Sequence, residues 1–246
     1  MSRNLESPYE KGVPKWDALY LARGEEIATN RPTFTGDVYT GILLPGETGA
    51  IKARTVLVLQ HPCAMRTDGV NLAWQLLVAE VTKRKALSEQ EWSDGYFSLM
   101  PLPDLRPEAT NQARHQAACF DNLYMIKPAE LGPRIACLSP FGVNLLLQRW
   151  VHYSSRVVVP TSDFQQQTAA SYEECDLIEE WCDEAANDFL DAASECMQWL
   201  RADRGGSSYQ EMLKDSQTRS TVRKAMRVEL KCRRTADSVK PIGSEG

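Results

Sequence analysis

Nowhere in its 246 residues does the chain string together the roughly 18 apolar residues that a membrane-spanning helix needs. No helix is therefore expected to cross a bilayer. Met1 to Trp16 is mostly polar and holds no apolar h-region, so this stretch is not expected to act as a secretory signal. The seven cysteines, Cys63, Cys119, Cys137, Cys175, Cys182, Cys196 and Cys232, are odd in number and include no CxxC pair. Secreted domains of this size usually pair their cysteines, so reduced thiols in a cytoplasmic setting are expected. No ligand pair shows the close spacing of a tetrahedral zinc site, and neither a metal nor a cofactor is expected. A basic excess is absent as well. Lys and Arg number 28 against 33 Asp and Glu, a net charge of −5, so only a local patch could bind nucleic acid. There are no internal repeats.

What is present divides into unlike parts. Hydrophobic residues make up 43% of the chain and suffice for a packed core. Residues 1–32 carry Pro8, Gly12, Pro14 and Pro32 and read as an arm, with one short helix expected from Trp16 to Ala28. From 33 to 160 the signals are mostly those of short strands. Thr35 to Leu44 is β-rich and ends at the turn Pro45-Gly46. Thr55 to Leu59 is an unbroken apolar run that suits a buried strand, closed off by Pro62. A turn at Arg66-Thr67-Asp68-Gly69 leads to a strand at Leu76–Thr82. Ser88 with Glu91 forms a capping-box pattern for a short helix, and Tyr96–Met100, Ala118–Ile126 and Arg134–Leu138 are further strands. Ser139-Pro140 places an N-cap before a proline at the first helical position, predicting a helix to about Tyr153. Residues 154–170 read as a linker with a brief strand at Val157–Val159.

Beyond the linker the period changes. Leu177, Ile178, Trp181, Cys182, Ala185, Phe189, Ala192, Cys196, Trp199 and Leu200 recur at three- and four-residue steps, one stripe on one long helix. Gly205-Gly206 ends it, and Ser207 or Ser208 caps a second helix to about Arg234. Acids crowd the first helix and bases the second. An antiparallel hairpin over 171–236 with a tail at 237–246 would set them side by side. The region 172–234 is also where a protein partner or a second copy would dock, through whichever charged face stays free.

Several short strings in the strand region resemble the MazF/PemK-like toxin family. Gly36-Asp37-Val38 is similar to the opening of those barrels. Arg54 followed by Thr55-Val56-Leu57-Val58-Leu59 is similar to their arginine-led apolar strand, with Thr55 where proline is usual. Leu77 to Thr82 resembles the next strand, and Ile126 to Leu138 with the Ser139-led helix resembles the closing elements. The resemblance covers roughly half of the chain, residues 36–153. It implies an α+β fold in which a small SH3-like, mostly antiparallel β-barrel precedes the helical hairpin. It also implies RNA as a partner, with metal-independent endoribonuclease chemistry. Arg54 would stabilise charge on a pentavalent phosphate, and Thr82 would hydrogen-bond a phosphate oxygen. The alternative function, from another class, is a non-catalytic interaction subunit of a bacterial defence or toxin–antitoxin type assembly.

Two further groups stand out. His61 and Cys63 would project to one face of an extended strand end, where a nearby His and Arg66 would favour the thiolate. The bland alternative is a buried thiol beside a turn-forming proline. Lys83-Arg84-Lys85, with Arg54 and Arg66, would make a phosphate-binding rim, or else a solvated loop.

Overall fold

The computed structural model describes residues 4–46, 49–66, 71–109, 114–185 and 189–238. The turn expected at Arg66–Gly69 therefore falls mostly outside the described residues, as does the tail from 239 on. The chain forms two compact units, one of residues 1–27 and 33–169, the other of residues 28–32 and 170–246.

The first unit is built on a seven-stranded sheet whose pairings are all antiparallel. Its strands are β3 (Tyr20–Arg23), β4 (Val38–Pro45), β5 (Ile51–Val58), β6 (Leu76–Lys83), β7 (Leu99–Leu102), β8 (Gln116–Ile126) and β9 (Arg134–Leu138). They lie in the order β3-β9-β4-β5-β6-β8-β7. A separate two-stranded ribbon pairs β1 (Tyr9–Glu10) with β2 (Val13–Pro14). The seven-stranded sheet does not close: β3 and β7 are its two edges, which corrects the expectation of a barrel. Pro101 in β7 lacks the N–H that a further strand would need.

Apolar residues are buried on both faces of the sheet, Val56 and Val78 on one and Leu57 and Ala79 on the other, while Leu43, Ile51 and Met125 stay exposed. Tyr39, Ile42, Leu44, Val56, Val58 and Val78 share one cluster with Met65, which the segment after β5 supplies. Helix α2 (Pro140–Ser155) buries Val143, Leu146 and Leu147. Its start is the one expected: Ser139 Oγ accepts from the Gly142 N–H at 3.1 Å, with Pro140 next. Gly142 is required there, since a Cβ would stand 2.2 Å from the Leu19 carbonyl oxygen.

The helix expected from Trp16 to Ala28 is not formed. Tight turns at Trp16–Leu19 and Gly24–Glu26 flank β3, whose Tyr20 pairs with Leu138. Pairing with a core strand overrides local helix propensity, so the arm supplies a sheet edge. Helix α1 (Glu89–Asp94) carries the capping box of Ser88 and Glu91. The next strand starts at Leu99 rather than Tyr96, because Tyr96 is left-handed with φ 51°.

In the second unit the long helix is replaced by two. Helix α3 (Thr161–Glu184) begins inside the expected linker, and no strand forms at Val157–Val159. Left-handed Arg156 stops α2, and Pro160 stands just before α3 begins. Helix α4 (Phe189–Arg201) follows α3 and folds back on it. The Cys196 thiol lies 3.9 Å from the Leu177 carbonyl, and the rings of Trp181 and Trp199 are 5.5 Å apart. One unbroken stripe would leave much of its length uncovered, whereas two halves bury each other. The second helix is likewise split, into α5 (Tyr209–Met212), capped by Ser208, and α6 (Arg219–Ser238).

The acidic and basic faces do meet, but not in an antiparallel hairpin. Arg223 binds Glu173 and Glu180 at 2.7 and 2.5 Å, Arg227 binds Glu180 at 2.8 Å, and Arg234 binds Glu184 at 2.7 Å. Partner numbers rise together along both helices, so α3 and α6 run parallel. The intervening α4 makes the return and is tied to α6 by Arg233 and Glu195 at 3.0 Å. Arg31, contributed by the 28–32 segment, is buried with Nη1 2.9 Å from Asp176 and 2.8 Å from Glu179.

Candidate functional site

Strands β5, β6 and β8 lie side by side and converge at one end of the sheet. Val56 pairs with Glu80, and Glu80 with Cys119. Side chains alternate along a strand, so Arg54, Glu80, Thr82 and Cys119 share one face. The sequence places Arg54 and Thr82 in separate strings; the register brings them to adjacent strands at the same end.

The Arg54 Nη1 donates to Glu80 Oε1 at 2.6 Å, and the Asn122 amide reaches Glu80 Oε2 at 3.4 Å. The carboxylate is nearly enclosed, with 7% of its side chain exposed, whereas the guanidinium is 30% exposed. Arg54 therefore sits at the rim, held from below by an acid. Its Nε has no hydrogen-bond partner among the described residues. Thr82 Oγ1 is 3.4 Å from the Cys119 sulfur, and Arg84 Nη2 donates to the same sulfur at 3.8 Å. The face thus presents guanidiniums from β5 and from the end of β6, with the Thr82 hydroxyl on the same face. Such a set can bind an oxyanion by charge-assisted hydrogen bonds.

Glu80 was not singled out in the sequence. Its signal was there: one carboxylate inside the run Leu76-Leu77-Val78-Ala79-Glu80-Val81. A buried acid of that kind requires a cation, and Arg54 is the one supplied.

The other expected residues are less united. Lys85 is paired with Glu91 at 2.6 Å, and this contact with the Ser88 N–H holds the Glu91 carboxyl down at about 2. Lys83 and Arg84 are exposed at the end of β6, and neither has a carboxylate partner among the described residues. Arg66 forms an isolated bridge with Leu72 in the segment before β6.

The His61–Cys63 reading is corrected. The backbone is not extended there: His61 caps a tight turn over Pro62–Ala64, and its Nδ1 accepts from the Cys63 N–H at 3.3 Å. Burial pushes the imidazole below its ordinary value, which favours the neutral ring over the imidazolium that would stabilise a thiolate. Cys63 is exposed, so it is no buried thiol either. The other histidines lie against Trp16 (His115) and Phe97 (His152).

Among the described residues no group of three His, Cys, Asp or Glu side chains could hold a metal, and no helix is long and apolar enough to cross a membrane. Comparison with known families and with curated proteins found no family model and no protein that matches the chain.

Proposed function

We propose that the sheet unit is an RNA-binding module of the MazF/PemK-like kind, engaging phosphate at Arg54 and Arg84 and cleaving the backbone without a metal. The observation that carries this reading is the meeting of Arg54 and Thr82 on one face of paired strands, beside Arg84. The antiparallel run β4-β5-β6, with β9 on the far side of β4 and α2 after it, supports an SH3-like plan for these strands, left open by the added edges.

The chemistry follows from the charge. The ribose 2′-oxygen attacks the adjacent phosphorus and loses its proton, the bond to the 5′-oxygen breaks, and that oxygen takes up a proton. The products are a cyclic 2′,3′-phosphate and a free 5′-hydroxyl. Negative charge grows on the pentavalent phosphorus oxygens, where Arg54 supplies a planar guanidinium and Thr82 a hydroxyl.

The test is incubation of the purified protein with mixed-sequence RNA in excess chelator. The wild type is expected to cleave, and Arg54→Lys, which keeps the charge but loses the fork, to fall by about 100-fold or more. RNA that is bound but left intact would reduce the reading to binding alone; RNA neither bound nor cut would overturn it.

A further inference from the structure

The ladder between β6 and β8 slips once, and the slip falls at the candidate site. Ala79 pairs with Leu123, but the next residue, Glu80, pairs with Cys119. An unshifted register would set Glu80 opposite Asn122; instead Phe120, Asp121 and Asn122 stand out of the ladder as a bulge. Bulges are common beside functional sites, where they re-aim a side chain.

Helix α2 fixes this one in place. Phe120 is buried, its ring 5.3 Å from that of Trp150 and 5.6 Å from that of Tyr153. The Tyr153 hydroxyl donates to Asp121 Oδ1 at 2.7 Å, and the Phe120 N–H donates to the Ser98 carbonyl at 2.8 Å. Asn122 turns the other way. It is exposed, and its amide nitrogen donates to Glu80 Oε2 at 3.4 Å while Arg54 Nη1 holds Oε1. Amide and guanidinium thus meet on one carboxylate, separated by no more than its width and two hydrogen bonds. A nucleotide whose phosphate sits at Arg54 has its base within reach of Asn122.

The acid also sets which way the amide points. A carboxylate only accepts, so Nδ2 faces Glu80 and one of its hydrogens is used there. The second N–H and Oδ1 have no partner among the described residues, and together they present a donor beside an acceptor. Adenine answers that pair with N7 and its 6-amino group, and again with N1 and the same amino group. Guanine, cytosine and uracil match it on one edge each, and guanine's other edge, N7 and O6, carries acceptors alone.

We infer that Asn122 is the base-reading residue of this site and selects an adenine beside the phosphate that Arg54 holds. The inference rests on the RNA-binding reading above and adds the base preference to it. An unpaired strand is the substrate class that fits, because its base edges are free for a side chain to read.

The experiment measures fluorescence anisotropy with 2′-O-methyl oligonucleotides of about 10 nucleotides, all-A, all-C and all-U, which lack the nucleophile and stay intact. The full chain is compared with Asn122→Ala and Arg54→Ala. The wild type is expected to bind the adenine strand about tenfold more tightly than the other two. Asn122→Ala should lose that advantage by weakening the adenine strand alone; its unchanged affinity for the uridine strand would show that fold and phosphate contact are intact. Arg54→Ala should weaken all three strands alike. If the wild type has no adenine preference, or Asn122→Ala keeps it, base reading by Asn122 is overturned, while the loss in Arg54→Ala still carries the RNA-binding reading. An equal loss on all three strands in Asn122→Ala would make Asn122 a prop for Glu80 and overturn the inference as well. If the wild type binds none of the strands, both readings fail.

Discussion

A carboxylate nearly enclosed within a sheet needs a cation, and Glu80 has Arg54 for that purpose. The same guanidinium cannot serve a phosphate fully while it holds the acid. Glu80→Gln keeps the size and one acceptor but removes the charge that competes with an anionic ligand. Affinity for an RNA oligonucleotide is expected to rise about three- to tenfold, read by fluorescence anisotropy. A weaker affinity would mean instead that Glu80 holds Arg54 in its binding position. Arg149 offers a second test at this scale. It is fully buried and has no carboxylate partner among the described residues; its nitrogens donate to the carbonyls of Leu99, Trp92, Gly95 and Tyr96 at 2.6–3.2 Å. Arg149→Leu leaves these acceptors without donors, and urea unfolding should show a loss of about 3–5 kcal/mol. A loss below about 1 kcal/mol would mean that water replaces the guanidinium.

Among the elements, α6 is the one whose removal is most informative. Val222, Met226 and Leu230 are buried on one side of it, and Arg223 neutralises Glu173 and Glu180. Without it, like charges on α3 face one another at helical spacing and the stripe is uncovered. Deleting residues 219–246 should lower the melting temperature and raise acrylamide quenching of Trp181, now 0% exposed. Unchanged quenching would show that α3 and α4 alone shield it. Of the apolar residues of 172–203 whose burial is described, Ala185 is half-buried and Ala202 exposed, and the others, Leu177, Trp181, Ala192, Cys196 and Leu200 among them, are buried in the full chain. The exposed apolar face that a docking subunit would need is therefore not seen among them. The periodicity of this stretch was legible, but its break was not: three- and four-residue steps continue through 185–189 whether or not the helix does. The parallel course of α6 was equally hidden, because charge complementarity holds in either direction.

For the whole molecule, thiol chemistry separates surface from core. Cys63 and Cys232 are exposed and the other five cysteines are buried. Burial pushes Cys137 up to about 12 and Cys182 up to about 11, so neither reacts readily in the native state. A thiol reagent should modify two cysteines quickly and the remaining five only in denaturant, without prior reduction. Disulfides found in the denatured, unreduced chain would contradict the free thiols. The second unit includes residues 28–32, so it depends on chain from far upstream. Arg31→Ala should cost about 1–3 kcal/mol, because Asp176 and Glu179 lose their shared cation.

Local features were set by residues close in the chain. The capping box of Ser88 and Glu91, the start of α2 at Ser139-Pro140 and the strands from Leu76 and Arg134 need only a few neighbours, so their signals stand in the sequence. Arg54 and Lys83–Lys85 could be singled out as cations for the same reason. Which strand lies beside which, the tight turn that replaces extended backbone after His61, and the pairing of Arg54 with Glu80 were decided only by the tertiary structure. Arg54 and Glu80 are 26 positions apart. What joins them is the cost of burying an acid without a cation, and that cost arises only once β5 and β6 have paired.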